Sequence, residues 1–227
     1  MCFSALSSFI GGGVLTAIGT GTILQNKEPD RRLFAAIPFV FGVQQLSEGV
    51  VWLTLPASGH EAVLHVARTV FLIAAGIVWP TVVPLSMLLM EKVRIRRTAL
   101  WAMLAVGVAT SLAHFVGMLT FTVHSEILGF HIRYSLDSPV PWALASMIGY
   151  LVATLVPLYV SSHRRMIWFA VIVTVAYAVT QIFYQEFLVS VWCFFAALAS
   201  ASIWWIQRVP GPIAEVAAPV GLLEPEV

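Results

Sequence analysis

The chain has 227 residues, 59% of them hydrophobic and only 10% charged, with a mean hydropathy of +0.91 and a net charge of +1. A water-facing domain carries roughly 25% charged residues, so this surface needs lipid around it and a soluble domain is excluded. The near-neutral charge also excludes a nucleic-acid partner, which requires a basic face.

At about 20 apolar residues per crossing, the chain has room for seven spans with short loops. The start, Met1-Cys2-Phe3-Ser4, has neither a basic leader nor a cleavage pattern, so the first apolar stretch is expected to remain as a span. Apolar runs broken by charges and turn residues place the spans at Ser4–Gln25, Leu33–Leu55, Ala62–Met90, Thr98–Phe121, Trp142–Val160, Met166–Phe183 and Leu188–Ile206. Residues 1–206 thus read as one all-α integral membrane domain. Residues 207–227, with Pro210, Pro212, Pro219 and Pro225, read as a disordered cytoplasmic tail. The third span is long and holds Trp79-Pro80 and Pro84. Proline removes a backbone donor and bends a helix, so this span is expected to be tilted or broken.

Lys27, Arg31, Arg32, Lys92, Arg94, Arg96, Arg97, Arg164, Arg165 and Arg208 are ten of the twelve basic residues, and a seven-span count puts them all on one side. Basic loops stay in the cytoplasm, which predicts a seven-helix bundle oriented N-out and C-in, multi-pass in a cytoplasmic (inner) membrane. Arg68 and Arg133 remain for the outer side.

Gly13, Ala17 and Gly21 in span one recur every four residues, as do Ala105, Ala109, Ala113 and Gly117 in span four. Small residues let helix backbones approach closely in lipid, which predicts packing within the bundle. A seam between copies of the chain is the alternative.

Between spans four and five, His131, Arg133, Ser135 and Asp137 alternate with Ile132, Tyr134 and Leu136, which is strand period. With Val123 to Ile127 before Leu128-Gly129, this predicts a short β-hairpin over the outer mouth of the bundle.

The polar residues of the spans gather in the outer half. Glu48 falls about 10 Å below the outer end of span two at 1.5 Å per residue, His65 and Arg68 in the first turns of span three, and His114 at a depth similar to Glu48. An ionisable group in a bilayer is costly and is normally paired. Glu48, Arg68 and His114 are therefore expected to form one cluster, read either as a structural clasp or as the floor of an outward-facing pocket. Gln45, Trp52, His65, His131, Tyr134, Gln181 and Tyr184 complete the candidate ligand-binding set. His65, His114 and His131 are also candidate metal ligands, for zinc or copper. Haem is considered at His65 and His114, since axial imidazoles suit it. Retinal is excluded, because Lys27 and Lys92 are the only lysines and neither lies inside a span. Cys2 and Cys193 both map to the outer side, where an oxidising compartment permits a disulfide; two free thiols are the alternative.

Three stretches, Met1-Cys2-Phe3-Ser4-Ala5, Gln44-Gln45-Leu46-Ser47-Glu48-Gly49-Val50-Val51-Trp52 and Ser190-Val191-Trp192-Cys193-Phe194-Phe195-Ala196-Ala197, resemble an uncharacterised family of bacterial integral membrane proteins. The resemblance implies a bacterial inner-membrane protein and supplies no mechanism. Three function classes follow: binding of a small molecule or ion in an outward-facing pocket, with transport as an extension; an accessory subunit of a larger membrane complex; and a membrane-embedded metal-dependent enzyme acting on a lipid-like substrate. No nucleophile–base pair or phosphate-binding loop stands out, which leans the reading away from an enzyme.

Overall fold

A computed structural model describes residues 4–203, apart from the side chains at positions 193, 196 and 198. The expected tail at 207–227, Arg208 and the Cys2–Cys193 pairing lie outside the described residues. The chain is mostly helical, and six of its helical segments are long and apolar enough to cross a membrane: Ala5–Gln25, Pro29–Thr54, Glu61–Met90, Arg94–Thr120, Val140–Val160 and Arg164–Phe183. They match the first six expected spans. The seventh begins where expected, as helix Leu188–Ser200, and the rest of its expected length lies beyond the described residues.

Helix α1 (Ala5–Gln25) is capped by Ser4, whose hydroxyl accepts from Ser7 N–H at 3.2 Å. It packs along α3 (Ile37–Thr54), which follows the four-residue α2 (Arg32–Ala35). The contact is backbone to backbone. A Cβ on Gly19 would lie 2.2 Å from Phe39 N, and one on Gly42 2.3 Å from Thr16 Oγ1. The seam therefore runs through Gly12, Thr16 and Gly19, which corrects the expected stripe. Gly13 and Ala17 are exposed, and a Cβ on Gly13 or Gly21 would meet nothing within 4 Å. In α6 (Arg94–Thr120) the expected Ala105 and Ala109 are likewise exposed, and Gly107 makes the close approach instead.

The third span is broken, as its prolines predict. Helix α4 (Glu61–Ile73) runs into a π turn (Ala74–Val78) and then α5 (Trp79–Met90). Trp79 N–H reaches back to Ala74 O, a five-residue step. Pro80 has no N–H to give the next carbonyl. A side chain of α6 bonds beside the break: Ser111 Oγ donates to Ile77 O at 2.7 Å and lies 2.9 Å from Thr81 Oγ1 of α5.

After α6 come β1 (Val123–Leu128) and β2 (His131–Leu136), antiparallel with Val123 opposite Leu136 and Leu128 opposite His131. Gly129 opens the turn at φ +62, a backbone region that two-residue hairpin turns use and glycine adopts without strain. The hairpin predicted from the alternation is present. Helices α7 (Val140–Val160), α8 (Arg164–Phe183) and α9 (Leu188–Ser200) complete the described chain.

At the end opposite the hairpin the basic loops meet. Lys92 pairs with Asp30, Arg96 donates to Val160 O at 3.0 Å, and Arg97 donates to Leu88 O and Glu91 O. The core between the ends is aromatic and aliphatic, with Phe41 stacked on Trp79 at 3.9 Å and Phe34 edge-on to Phe169. Leu6, Val14, Leu112, Leu119, Ile148 and Ile172 point outward, each at least half exposed. So broad an apolar surface fits contact with the bilayer.

Candidate functional site

A cavity of about 280 Å³ lies under the hairpin, walled by the π turn, α6, α7 and α9. Its roof is Val123, Tyr134, Ser135 and Leu136 of the two strands. Tyr150, Tyr177 and Trp192 are aromatic neighbours at its wall: Tyr150 and Tyr177 each stand edge-on to Trp192, with ring centroids 5.3 Å apart. His114 lines it beside them, its ring 6.1 Å from that of Tyr150. None of the described lining residues carries a formal charge if His114 is neutral.

Two polar groups give this apolar space its chemistry. His114 Nδ1 lies 3.0 Å from Thr110 O. A carbonyl only accepts, so Nδ1 carries the proton and a neutral ring keeps its lone pair on Nε2. The ring is seated against the π turn, where a Cβ on Gly76 would lie 2.9 Å from His114 Cδ2. π turns recur at functional sites, because they break the regular ladder and shift the helix face. The second group is Trp192 Nε1, which is buried without a hydrogen-bond partner among the described residues, on a side chain only 8% exposed.

Of the expected ligand set, His114 and Tyr134 line this cavity and the others lie elsewhere. The expected cluster of Glu48, Arg68 and His114 is not what the hydrogen bonds draw. Glu48 Oε1 accepts from Ser190 Oγ of α9 at 2.5 Å. Arg68 Nη1 donates to Val123 O at 3.2 Å and reaches Ser125 Oγ at 3.5 Å, so it ties α4 to the hairpin. Equal depth along three helices does not bring three side chains to the same azimuth.

Gln45 is buried within the bundle, and Trp52 packs into a small cluster with Val51, Ala67 and Ile132 at the hairpin base. His65 is exposed on α4. Tyr134 also stacks on Phe71 at 4.7 Å, and Gln181 Oε1 accepts from Tyr177 at 3.3 Å. His131 sits between the rings of Tyr184 and Phe187, at 5.3 and 4.8 Å, and burial pushes its imidazole below the ordinary histidine range. Among the described residues, no three of His, Cys, Asp and Glu gather closely enough to hold a metal, so His65, His114 and His131 do not share a centre. Arg133 pairs with Glu126 and, at 3.6 Å, with Glu186, while His124 Nε2 lies 2.8 Å from Asp137 Oδ2. These polar groups brace the hairpin.

Sequence reasoning missed Tyr150, Tyr177 and Trp192 as wall residues, and Gln44, Ser190 and Glu91 as hydrogen-bonding partners. The aromatic residues gave no signal, because in a span they read as lipid-facing or core. Glu91 had one: an acidic residue in a loop otherwise rich in Lys and Arg.

No curated protein and no solved structure matches this chain. A family model matches residues 1–216, so the chain belongs to the family of unknown function DUF6629.

Proposed function

We propose that this chain is a multi-pass protein of a bacterial cytoplasmic membrane, oriented N-out and C-in, that binds a neutral, mostly apolar small molecule under the hairpin. The observation that carries the reading is the cavity itself: aromatic walls, no charged residue in the described lining, an acceptor at His114 Nε2 and a donor at Trp192 Nε1 that has no partner among the described residues. Ligand sites are typically apolar with a few placed polar groups. An ion is a poor occupant of such walls, because nothing there replaces its hydration. The volume suits a molecule of one or two rings carrying a hydroxyl, which donates to His114 and accepts from Trp192. A second cavity of about 50 Å³, lined by Phe41 and Leu158 among others, has Tyr150 and Trp192 in common with the first. Passage through the bundle, past these two side chains, is the second reading.

Binding of 2-naphthol, with naphthalene as the control lacking the hydroxyl, tests the site. The purified full chain is expected to bind 2-naphthol, and Ala143→Phe, which fills the cavity from α7, is expected to abolish binding. His114→Ala is expected to leave naphthalene binding in place and weaken 2-naphthol by about three- to tenfold, the value of one hydrogen bond of about 0.5–1.5 kcal/mol. Equal binding by the original chain and Ala143→Phe would remove the cavity as the site.

Orientation has its own check. With Cys2 and Cys193 replaced by Ser, Ser58→Cys is expected to react with an impermeant thiol reagent on intact cells, and Thr98→Cys only after permeabilisation. Both positions are exposed, in the loop before α4 and near the start of α6. Equal labelling of both from outside overturns the orientation.

A further inference from the structure

A second polar feature lies inside the bundle, away from the cavity. Gln44, Glu48 and Trp52 stand at four-residue intervals on α3 and so share one helix face, with Gln45 three residues from Glu48 beside them. Gln44 and Glu48 are 0% exposed and Gln45 is 1%. Trp79 Nε1 donates to Gln44 Oε1 at 2.8 Å, and Ser190 Oγ donates to Glu48 Oε1 at 2.5 Å, which turns this face toward α5 and α9. Four further atoms here have no partner among the described residues: Gln44 Nε2, Gln45 Nε2, Gln45 Oε1 and Trp52 Nε1.

Polar atoms buried dry are costly, and a row of them on one helix face calls for an occupant. A metal cation is the wrong one, because three of the four orphaned atoms are N–H donors that would repel it. Water both donates and accepts, and buried water normally bridges such groups. The row begins at Trp52, packed under the hairpin with Val51 and Ile132. It ends at Gln44, about 12 Å further along the axis at 1.5 Å per residue.

We infer that this face of α3 holds internal water reaching in from the hairpin end, and that Glu48 is a proton-exchange site within the membrane. The step is a simple transfer. An O–H bond of a protonated water breaks as the carboxyl O–H forms on Glu48, and the reverse step returns the proton. Ser190 fixes the carboxylate by its hydrogen bond. Among the described residues the charges nearby are few: α1 has no ionisable side chain, α4 brings Glu61 and His65, both exposed, and Arg68, which is bonded to the hairpin, and α9 brings only Cys193, whose side chain lies outside the described residues. This site does not rest on the ligand cavity.

Infrared difference spectroscopy of the full chain in liposomes tests it. Acidifying the bulk, or exchanging it into heavy water, is expected to alter a carboxyl band that Glu48→Gln removes. Ser190→Ala is expected to shift the frequency of that band without removing it, which assigns it even if Glu48→Gln does not fold. Gln45→Leu replaces the orphaned amide by an apolar chain of similar size. It is expected to slow deuterium exchange of the band by about tenfold or more, as for a raised transfer barrier. A Glu48 band that answers neither to pH nor to heavy water overturns the exchange site. An unchanged rate in Gln45→Leu overturns the water path.

Discussion

Replacing Gly107 by alanine is expected to destabilise the protein, and the same change at Gly13 to stabilise it. A Cβ on Gly107 would lie 1.9 Å from Pro80 O and 2.9 Å from Pro80 C. Both atoms belong to the α5 backbone, so no side chain can swing aside and the two helices must part. Overpacking a tight contact costs roughly 1–3 kcal/mol and more where backbone must move. Alanine's helix propensity returns about 1 kcal/mol, which leaves a net loss of up to about 2 kcal/mol. The loss falls on the crossing that the π turn depends on, since Ser111, one turn beyond Gly107 on α6, supplies the donor to Ile77 O. At Gly13 a Cβ meets open space, so only the propensity gain of about 1 kcal/mol remains. Thermal melts of the two variants in one detergent give the comparison. A Gly107→Ala protein as stable as the original would mean that α5 and α6 do not touch there.

The reversal between Gly13 and Gly12 shows where sequence reading stops. Span positions are legible because a bilayer demands about 20 apolar residues in a row, and the first six come out within a few residues of the helices. The hairpin is legible because period-2 alternation follows a glycine, and Gly129 adopts the φ that this turn needs. Azimuth is the missing coordinate. A soluble helix marks its buried face by polarity, whereas α1 is apolar all round, and two small-residue stripes one position apart look alike. Gly12 and Gly19 meet α3 while Gly13 and Ala17 face outward.

The same gap separates the expected polar cluster from the observed one. Glu48, Arg68 and His114 were assigned depths, and depth along a helix says nothing of direction around it. Glu48 instead meets Ser190, 142 residues away in sequence, a small hydroxyl residue with no charge to advertise the pairing. Arg68 takes the hairpin carbonyl that its length allows it to reach. Only His114 among the three lines the cavity. The rest of that wall is Tyr and Trp, which in a membrane sequence signal packing or an interface equally well.

The basic end carries the largest expected effect of pH. Glu91 is 1% exposed and follows directly on α5. Its Oε1 accepts from Lys92 N–H at 3.0 Å, Val93 N–H at 2.9 Å and Ser162 Oγ at 2.5 Å, and its Oε2 accepts from Ser162 N–H at 2.7 Å. One carboxylate therefore joins the turn that opens α6 to the turn between α7 and α8, where an anion also favours the α6 N-terminus. Burial pushes its carboxyl up, but the hydrogen bonds from Ser162 and from the backbone N–H groups of Val93, Ser162 and Lys92 outweigh that and hold it below the ordinary glutamate range. His163 stands next to Ser162, pushed below the ordinary histidine range by burial first and then by Arg31. Arg97 donates to the Glu91 backbone carbonyl at 2.9 Å. Because folding lowers the pKa of Glu91, its contribution is complete above the ordinary glutamate value and is lost as pH falls through the lower folded-state value. Glu91→Gln keeps the size and loses the charge. An amide nitrogen cannot accept, so at least one buried donor is orphaned, and the expected loss is about 1.5–3 kcal/mol at neutral pH. That difference from the original chain is expected to shrink as acid protonates Glu91 there too. Melts of both proteins as pH is lowered from neutral through the ordinary glutamate value and below it check this. A gap that stays constant across the range would show that the charge on Glu91 does not hold the two turns together.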